Sequence, residues 1–243
     1  MVDFGFREVS PEEKTRLVNR VFSSVADRYD LMNDLMSAGI HRLWKRHFVA
    51  GCGLRPGQRL LDLAGGTGDI AALALPRVEP GGRVTVGDLT REMLEAGRRR
   101  LDDRGVGPRL QWLQLNAEAL PFADRSFDHV TIAFGLRNVT DRVQALAEMY
   151  RVLKPGGRVH VLEFSRVLQP LAPAYDLWSF RVLPALGHAV AGDRESYQYL
   201  AESIRRFPDQ ETLAAMLRDA GFERVDYENL TGGIAAIHRG ARV

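Results

Sequence analysis

Leu60-Leu-Asp-Leu-Ala-Gly-Gly-Thr-Gly-Asp69 is the stretch whose reading decides the fold. The run from Leu60 to Ala64 reads as a buried strand. It stops at Gly65-Gly66-Thr67-Gly68, and a helical pattern follows from Ile70 to about Leu75. Glycine tolerates positive φ and lets a ligand approach the backbone closely. The first turn of the following helix offers unpaired N–H groups. A phosphate loop would need a Gly-x-Gly-x-x-Gly or a Gly-Lys-Ser/Thr ending. Here Gly68 is followed by Asp69, Ile70 and Ala71, with no third glycine and no lysine. Asp69 places negative charge where a pyrophosphate would sit, and favours a cationic ligand instead. A glycine turn that only packs helix on strand is the plainer alternative.

Asp62-Leu-Ala-Gly-Gly-Thr-Gly-Asp69 resembles motif I of the class I S-adenosylmethionine-dependent methyltransferases. The resemblance implies a cofactor with a sulfonium, an ammonium and no phosphate, which suits an acidic loop.

The length of 243 residues suits one domain with a sizeable core, and a composition 45 % apolar and 26 % charged is that of a water-soluble globular chain. The net charge of +2 is too mild to argue for nucleic acid. Cys52 is the only cysteine, which excludes an intrachain disulfide and a cysteine-cluster metal site, and no metal is expected. Met1 to Ser10 is polar and mixed, unlike a signal peptide. No apolar run reaches the ~18 residues of a membrane span. The expected location is the cytoplasm, at most peripheral to the inner face of the cell membrane.

Working outward along the chain, residues 1–16 read as polar and loose. Residues 17–50 carry an amphipathic helical pattern through Val18, Val21, Phe22, Val25, Leu31, Leu35, Trp44 and Phe48. Because they precede the first strand, they read as a helical cap over the sheet's ligand end, from which Tyr29, His41, Arg42 and Trp44 could face a pocket or simply lie at the core edge. Strands are expected at 59–64, 83–88, 110–115, 127–134 and 157–164. Helices are expected near 68–77, 90–103 and 141–153, the last stopped by Lys154-Pro-Gly-Gly157. The alternation predicts an α/β fold with a mainly parallel sheet and ligands beyond the strands' carboxyl ends. Residues 165–208 break the alternation with an apolar, aromatic stretch that includes Tyr175, Leu177, Trp178, Phe180, Tyr197 and Tyr199. It reads as an insertion within the one domain, either a lid or a second packing layer. A helix at 209–220 follows. Strands at 222–230 and 233–239, joined at Thr231-Gly-Gly233, close the chain as a hairpin.

Asp88 ends the second strand about 20 residues after the glycine loop, the place for a carboxylate that accepts both ribose hydroxyls of an adenosine. Its alternative is the N-cap of helix 90–103, a task that Thr90 could perform. Asn116 and Ala117 follow the third strand, where an amide and a backbone N–H can read an adenine edge; an Asx-turn is the alternative for Asn116. Phe134-Gly-Leu-Arg-Asn-Val139 leaves the fourth strand facing the crevice.

Taken together, residues 20–240 resemble the ubiquinone/menaquinone biosynthesis C-methyltransferases. The carrying residues are Tyr29-Asp30, His41-Arg-Leu-Trp-Lys45, Asp62 to Asp69, Asn116-Ala-Glu-Ala-Leu-Pro-Phe122, Phe134 to Val139, Leu162-Glu-Phe164, Tyr199-Leu-Ala-Glu-Ser-Ile204 and Asn229-Leu-Thr-Gly-Gly233. The resemblance implies a Rossmann-like methyltransferase fold, with a seven-stranded sheet ending in an antiparallel hairpin. It implies methyl transfer from S-adenosylmethionine to a ring carbon of a polyprenyl quinol, with cofactor contacts at Thr67, Asp88, Asn116 and Ala117. Gly65, Gly66 and Tyr29 complete the candidate cofactor set. Ubiquinone-type members have serine where this chain has Ala133, which points to demethylmenaquinol as acceptor; the dual enzyme, or another phenolic or lipid acceptor, is the alternative.

Such a reaction needs help to remove a phenolic proton whose reference pKa is about 10. Arg137 would steady the phenolate or polarise a water, Asn138 would orient that water or a quinol oxygen, and Asp69 and Tyr29 are alternatives for handling the proton. A salt bridge from Arg137, to Asp141 for example, is the structural alternative. The acceptor's tail would bring residues 17–50 and 165–200 to a membrane surface, and a homodimer is left open. A dehydrogenase or a non-catalytic cofactor-binding protein shares the fold logic but not the loop ending or the Arg-Asn motif.

Overall fold

The computed structural model describes residues 1–25, 34, 37, 39–169, 175, 177 and 194–243. Tyr29, Trp178, Phe180 and half of the expected 165–208 insertion lie outside them.

The chain opens with a short antiparallel pair, β1 (Val2–Phe4) and β2 (Arg7–Val9), followed by α1 (Pro11–Val25) and α2 (His41–Gly51). The expectation of a loose segment over 1–16 is therefore corrected. Ser10 Oγ accepts the Glu13 N–H at 3.1 Å, Pro11 stands first in the helix, and two glutamates occupy its first turn.

The central sheet alternates with helices as expected. Its elements are β3 (Arg59–Leu63), α3 (Asp69–Val78), β4 (Arg83–Asp88), α4 (Arg91–Asp102), β5 (Gln111–Gln114), β6 (Phe127–Ala133), α5 (Arg142–Val152) and β7 (Leu153–Phe164). After α6 (Arg194–Arg206) and α7 (Gln210–Asp219), β8 (Glu223–Leu230) and β9 (Ala235–Ala241) complete it. The strand order is β5-β4-β3-β6-β7-β9-β8; the first five are mutually parallel, and β9 is antiparallel to both its neighbours. The order reverses between β3 and β6, which opens a crevice at their carboxyl ends.

Leu60 and Leu61, both fully buried, face opposite sides of the sheet because strand side chains alternate. Leu60 joins a layer with Trp44, Phe48, Ile70 and Leu101, and Leu61 joins one with Leu146, Met149, Leu213 and Leu217. Helices thus cover both faces and leave the strand ends for a site. Two boundaries are set by capping aspartates: Asp141 accepts the Gln144 N–H and Asp209 the Thr212 N–H, each at 2.9 Å. The stop at Lys154-Pro-Gly-Gly157 differs from expectation. Leu153 already pairs with Phe127, pairing resumes at His129 with Arg158, and the four residues form an irregularity inside β7, with Gly156 at φ 79°.

Candidate active site

A cavity of about 780 Å³ lies at the reversal point. Its floor comes from Ala64 and Gly66 after β3, Asp88 at the tip of β4, Asn116 and Ala117 after β5, and Phe134, Gly135 and Asn138 after β6. Ala64 and Phe134 hold left-handed backbones, φ 47° and 56°, although neither is glycine. Such strain concentrates at functional sites. Gly135 lies so close to Ala64 that the two turns interlock only without a side chain at 135. Thr15, Val18 and Phe22 form the roof, one face of α1 at helical spacing. The cap expected over 17–50 is here this helix, which begins six residues earlier. It is latched by Lys14 Nζ to the Val139 carbonyl at 3.0 Å and by the paired hydroxyls of Thr15 and Thr140 at 3.1 Å.

Asp88 is the principal charge in the cavity. Oδ2 accepts the Gly66 N–H and Oδ1 the Thr90 N–H, both at 2.9 Å. Each oxygen keeps acceptor capacity for a ligand hydroxyl. Burial pushes the Asp88 carboxyl up to about 6, against these N–H bonds, which favour the ionised form. Thr90 stands at the head of α4 without capping it through its side chain; the hydroxyl donates to Asn19 Oδ1 at 2.7 Å and so ties α4 to α1. Asn116 does form the Asx-turn, Oδ1 accepting the Glu118 N–H at 3.0 Å, and this leaves its NH₂ as the ligand-facing donor. Glu118, to which the sequence assigns no role beyond its place in the Asn116–Phe122 run, lines the cavity and accepts the N–H groups of Thr140 and Asp141 at 3.0 and 3.1 Å.

Several sequence candidates stand elsewhere. Gly65 and Thr67 do not line the cavity. A Cβ on Gly65 would fall 2.6 Å from Val86, and the Thr67 carbonyl accepts from Arg100 Nη2 at 2.8 Å. Both therefore shape the loop. Asp69 pairs with Lys45 at 2.8 Å and with Arg100, away from the cavity. Burial alone would raise its pKa, but the two cations outweigh it and hold the carboxylate well below its usual range. A base needs affinity for a proton, so the geometry removes Asp69 from proton handling and makes it a clamp on the loop. The charge it was expected to offer a cationic ligand is already neutralised. Trp44 donates from Nε1 to Thr231 at 2.9 Å, and His41 and Arg42 both engage Asp34, so none of the three faces the cavity. Tyr29 lies outside the described residues.

Arg137 and Asn138 diverge. Arg137 is 2 % exposed and turned from the cavity, with Nη1 donating to the Phe134 carbonyl at 2.5 Å and to Glu163 at 3.0 and 3.2 Å. The salt-bridge alternative is thus the observed one, with Glu163 at the end of β7 as partner and Asp141 as a helix cap. Asn138, next in the same turn, lines the cavity and accepts the Tyr199 hydroxyl at 3.0 Å. Tyr199 borders a second cleft, between α1, α6 and the N-terminal hairpin, with Phe4, Leu17 and Val21.

The donor set fits an adenosine-sulfonium ligand. It offers a carboxylate on a strand tip for two hydroxyls, an amide beside it, and apolar walls. Gly66 provides a cradle that a Cβ would fill, 3.0 Å from Met93 and 3.9 Å from Asp88. No group of His, Cys, Asp or Glu suited to a metal occurs among the described residues.

Fold and cavity together define a class I S-adenosylmethionine-dependent methyltransferase. Solved structures of that architecture superpose on the chain. A Thermotoga maritima methyltransferase described as a possible histamine N-methyltransferase matches with TM-score 0.65 and 22 % identity, over 93 % of this chain and all of that one. The [4+2]-cyclase SpnF matches with TM-score 0.67 and 19 % identity, over 94 % and 96 %. At such identities the likeness concerns the fold alone. The model of the ubiE/COQ5 methyltransferase family matches residues 8–242, and the chain belongs to that family. The ubiquinone/menaquinone biosynthesis C-methyltransferase UbiE of Stenotrophomonas maltophilia is 59 % identical over 99 % of this chain and 95 % of its own length. The protein of the same name from Yersinia enterocolitica is 58 % identical over 98 % and 95 %. The chain is accordingly an S-adenosylmethionine-dependent C-methyltransferase of ubiquinone/menaquinone biosynthesis.

Proposed function

We propose that the acceptor is demethylmenaquinol, methylated on a ring carbon. The residue that carries the choice between quinols is Ala133, at the end of β6, where the resemblance to the family implies a serine in ubiquinone-type members. Ala133 does not line the cavity, so its influence would pass through the adjoining Phe134 turn. A dual enzyme is the second reading, favoured by the relatives named for both quinones at 58–59 % identity.

When bound, S-adenosylmethionine supplies an electrophilic methyl on a sulfonium. Asp88 would accept the ribose hydroxyls, and Asn116 and Ala117 would meet the adenine. Asn138 would donate to a quinol oxygen and hold the ring so that its nucleophilic carbon faces the methyl; such orientation can contribute ~7–11 kcal/mol. Val18, Phe22 and Phe134 exclude water from the transfer. Arg137 acts through the turn it braces. Assaying demethylmenaquinol beside the matching methoxy-benzoquinol, both reduced and short-tailed, tests the proposal. Methylation of the naphthoquinol alone is expected; equal rates would establish the dual enzyme, and preference for the benzoquinol would overturn the assignment.

The acceptor's tail resides in a bilayer, so we further propose peripheral contact with the membrane surface. Phe6 at the hairpin tip, Leu168 and Leu177 are exposed, and among the described residues no helix is long and apolar enough to cross a membrane. Flotation with quinol-bearing liposomes is expected, and its absence would refute the contact.

A further inference from the structure

Tyr199 connects the cavity to the N-terminal hairpin, two regions separated by more than a hundred residues of chain. Its hydroxyl donates to Asn138 Oδ1 at 3.0 Å, and its ring stacks on Phe4 with centroids 4.2 Å apart and planes 17° from parallel. The ring is 6 % exposed. One turn along α6, Glu202 accepts the Phe6 N–H at 3.0 Å. Between Phe4 and Phe6, Gly5 has φ 59° and no room for a Cβ beside Glu202. Hairpin and α6 are thus clamped by a stack, a hydrogen bond and a close approach that requires glycine.

The hydroxyl meets the one side chain of the Leu136–Asn138 turn that lines the cavity. With Oδ1 turned to the hydroxyl, the Asn138 NH₂ is the donor half of the amide left for an acceptor oxygen. Burial also raises the Tyr199 pKa, so the phenol keeps its proton and remains a donor.

We propose that Tyr199 is a positioning residue for methyl transfer: it fixes the Asn138 amide toward the acceptor oxygen, and the N-terminal hairpin fixes Tyr199 in turn. The proposal rests on the reading of Asn138 as an acceptor contact. It makes the first nine residues part of the active-site scaffold.

The test compares Tyr199→Phe, Asn138→Ala and the double variant, each read for kcat, acceptor KM and cofactor Kd. Tyr199→Phe keeps the stack and removes only the hydroxyl. Each single variant should lower kcat about tenfold, the worth of one buried hydrogen bond, with cofactor Kd within about twofold. The double variant should be no slower than Asn138→Ala alone, because the hydroxyl acts through that amide. Multiplying losses in the double variant would overturn the proposal, as would wild-type kcat in Tyr199→Phe beside a slow Asn138→Ala. Wild-type kcat in Asn138→Ala would instead overturn the reading of Asn138 itself. Phe4→Leu reaches the same device from the hairpin side: it should lower kcat in the wild type and not in the Tyr199→Phe background. An unchanged kcat in Phe4→Leu would remove the hairpin from the account.

Discussion

Glu163 takes up Arg137 from two sides: its carboxylate lies 3.0 Å from the guanidinium Nη1 and also accepts the Arg137 backbone N–H at 3.1 Å. Both side chains are 1 % exposed, so the pair spans β7 and the turn after β6 in the protein interior. Removing one partner leaves an unpaired buried charge. Glu163→Ala should therefore cost about 3–5 kcal/mol in denaturant unfolding, whereas Arg137→Met with Glu163→Leu should recover most of it. A loss below about 1 kcal/mol in Glu163→Ala would show that the pair does not hold the turn.

Asp88 gives cofactor affinity a pH dependence. Its pKa, raised by burial to about 6, means that acidification neutralises the carboxylate before most others. Only the ionised form accepts from both ribose hydroxyls. Cofactor Kd should be flat above about pH 7 and weaken as pH falls through 6, by up to about tenfold per unit. Titration calorimetry across that range checks it, with Asp88→Asn weak and flat. Constant wild-type affinity down to about pH 5 would contradict the role.

Asp62 shapes stability rather than binding. It is fully buried with Oδ1 accepting from Thr131 at 2.8 Å, and burial pushes its pKa up to about 7. Between about 4 and 7 the folded protein retains a proton that the unfolded chain has released. Stability should therefore fall as pH rises through that window. Asp88 contributes in the same direction, so the informative quantity is the difference from Asp62→Asn, which should show a shallower slope. Identical slopes would refute it.

Gly97 lies in the middle of α4, where helix propensity alone favours alanine by about 1 kcal/mol. A Cβ there would stand 2.7 Å from the Thr67 Cα, against backbone that cannot swing aside. Overpacking of this kind costs about 1–3 kcal/mol. Gly97→Ala should displace the loop and weaken cofactor binding about tenfold, at most modestly changing acceptor KM. Wild-type cofactor affinity in this variant would show that α4 does not set the loop.

Legibility in the sequence followed the range of each interaction. The strand–loop–helix at 60–75 and the carboxylate ending β4 were legible, because periodicity and glycine act locally. The hairpin at 2–9 was not, since two strands of three residues are too short to show alternation. Asp69 looked available because its cations, Lys45 and Arg100, lie 24 and 31 residues away. Arg137 looked catalytic for the same reason: its partner is 26 residues distant on another strand, and nothing at 137 announces it. Asn138 lines the cavity from the turn that the sequence sets at the crevice, while Tyr199, 61 residues on, could be tied to it only in three dimensions.

The central claim is transfer of a methyl to carbon within the Asp88–Asn138 cavity. The most direct measurement incubates the protein anaerobically with trideuteriomethyl-labelled S-adenosylmethionine and reduced, short-tailed demethylmenaquinol, then locates the label by mass spectrometry and NMR. The account predicts a trideuteriomethyl group bonded to the ring carbon, formed slowly or not at all by Asp88→Asn and Asn138→Ala. Label on a phenolic oxygen, or bound cofactor with no transfer to any quinol, would contradict it.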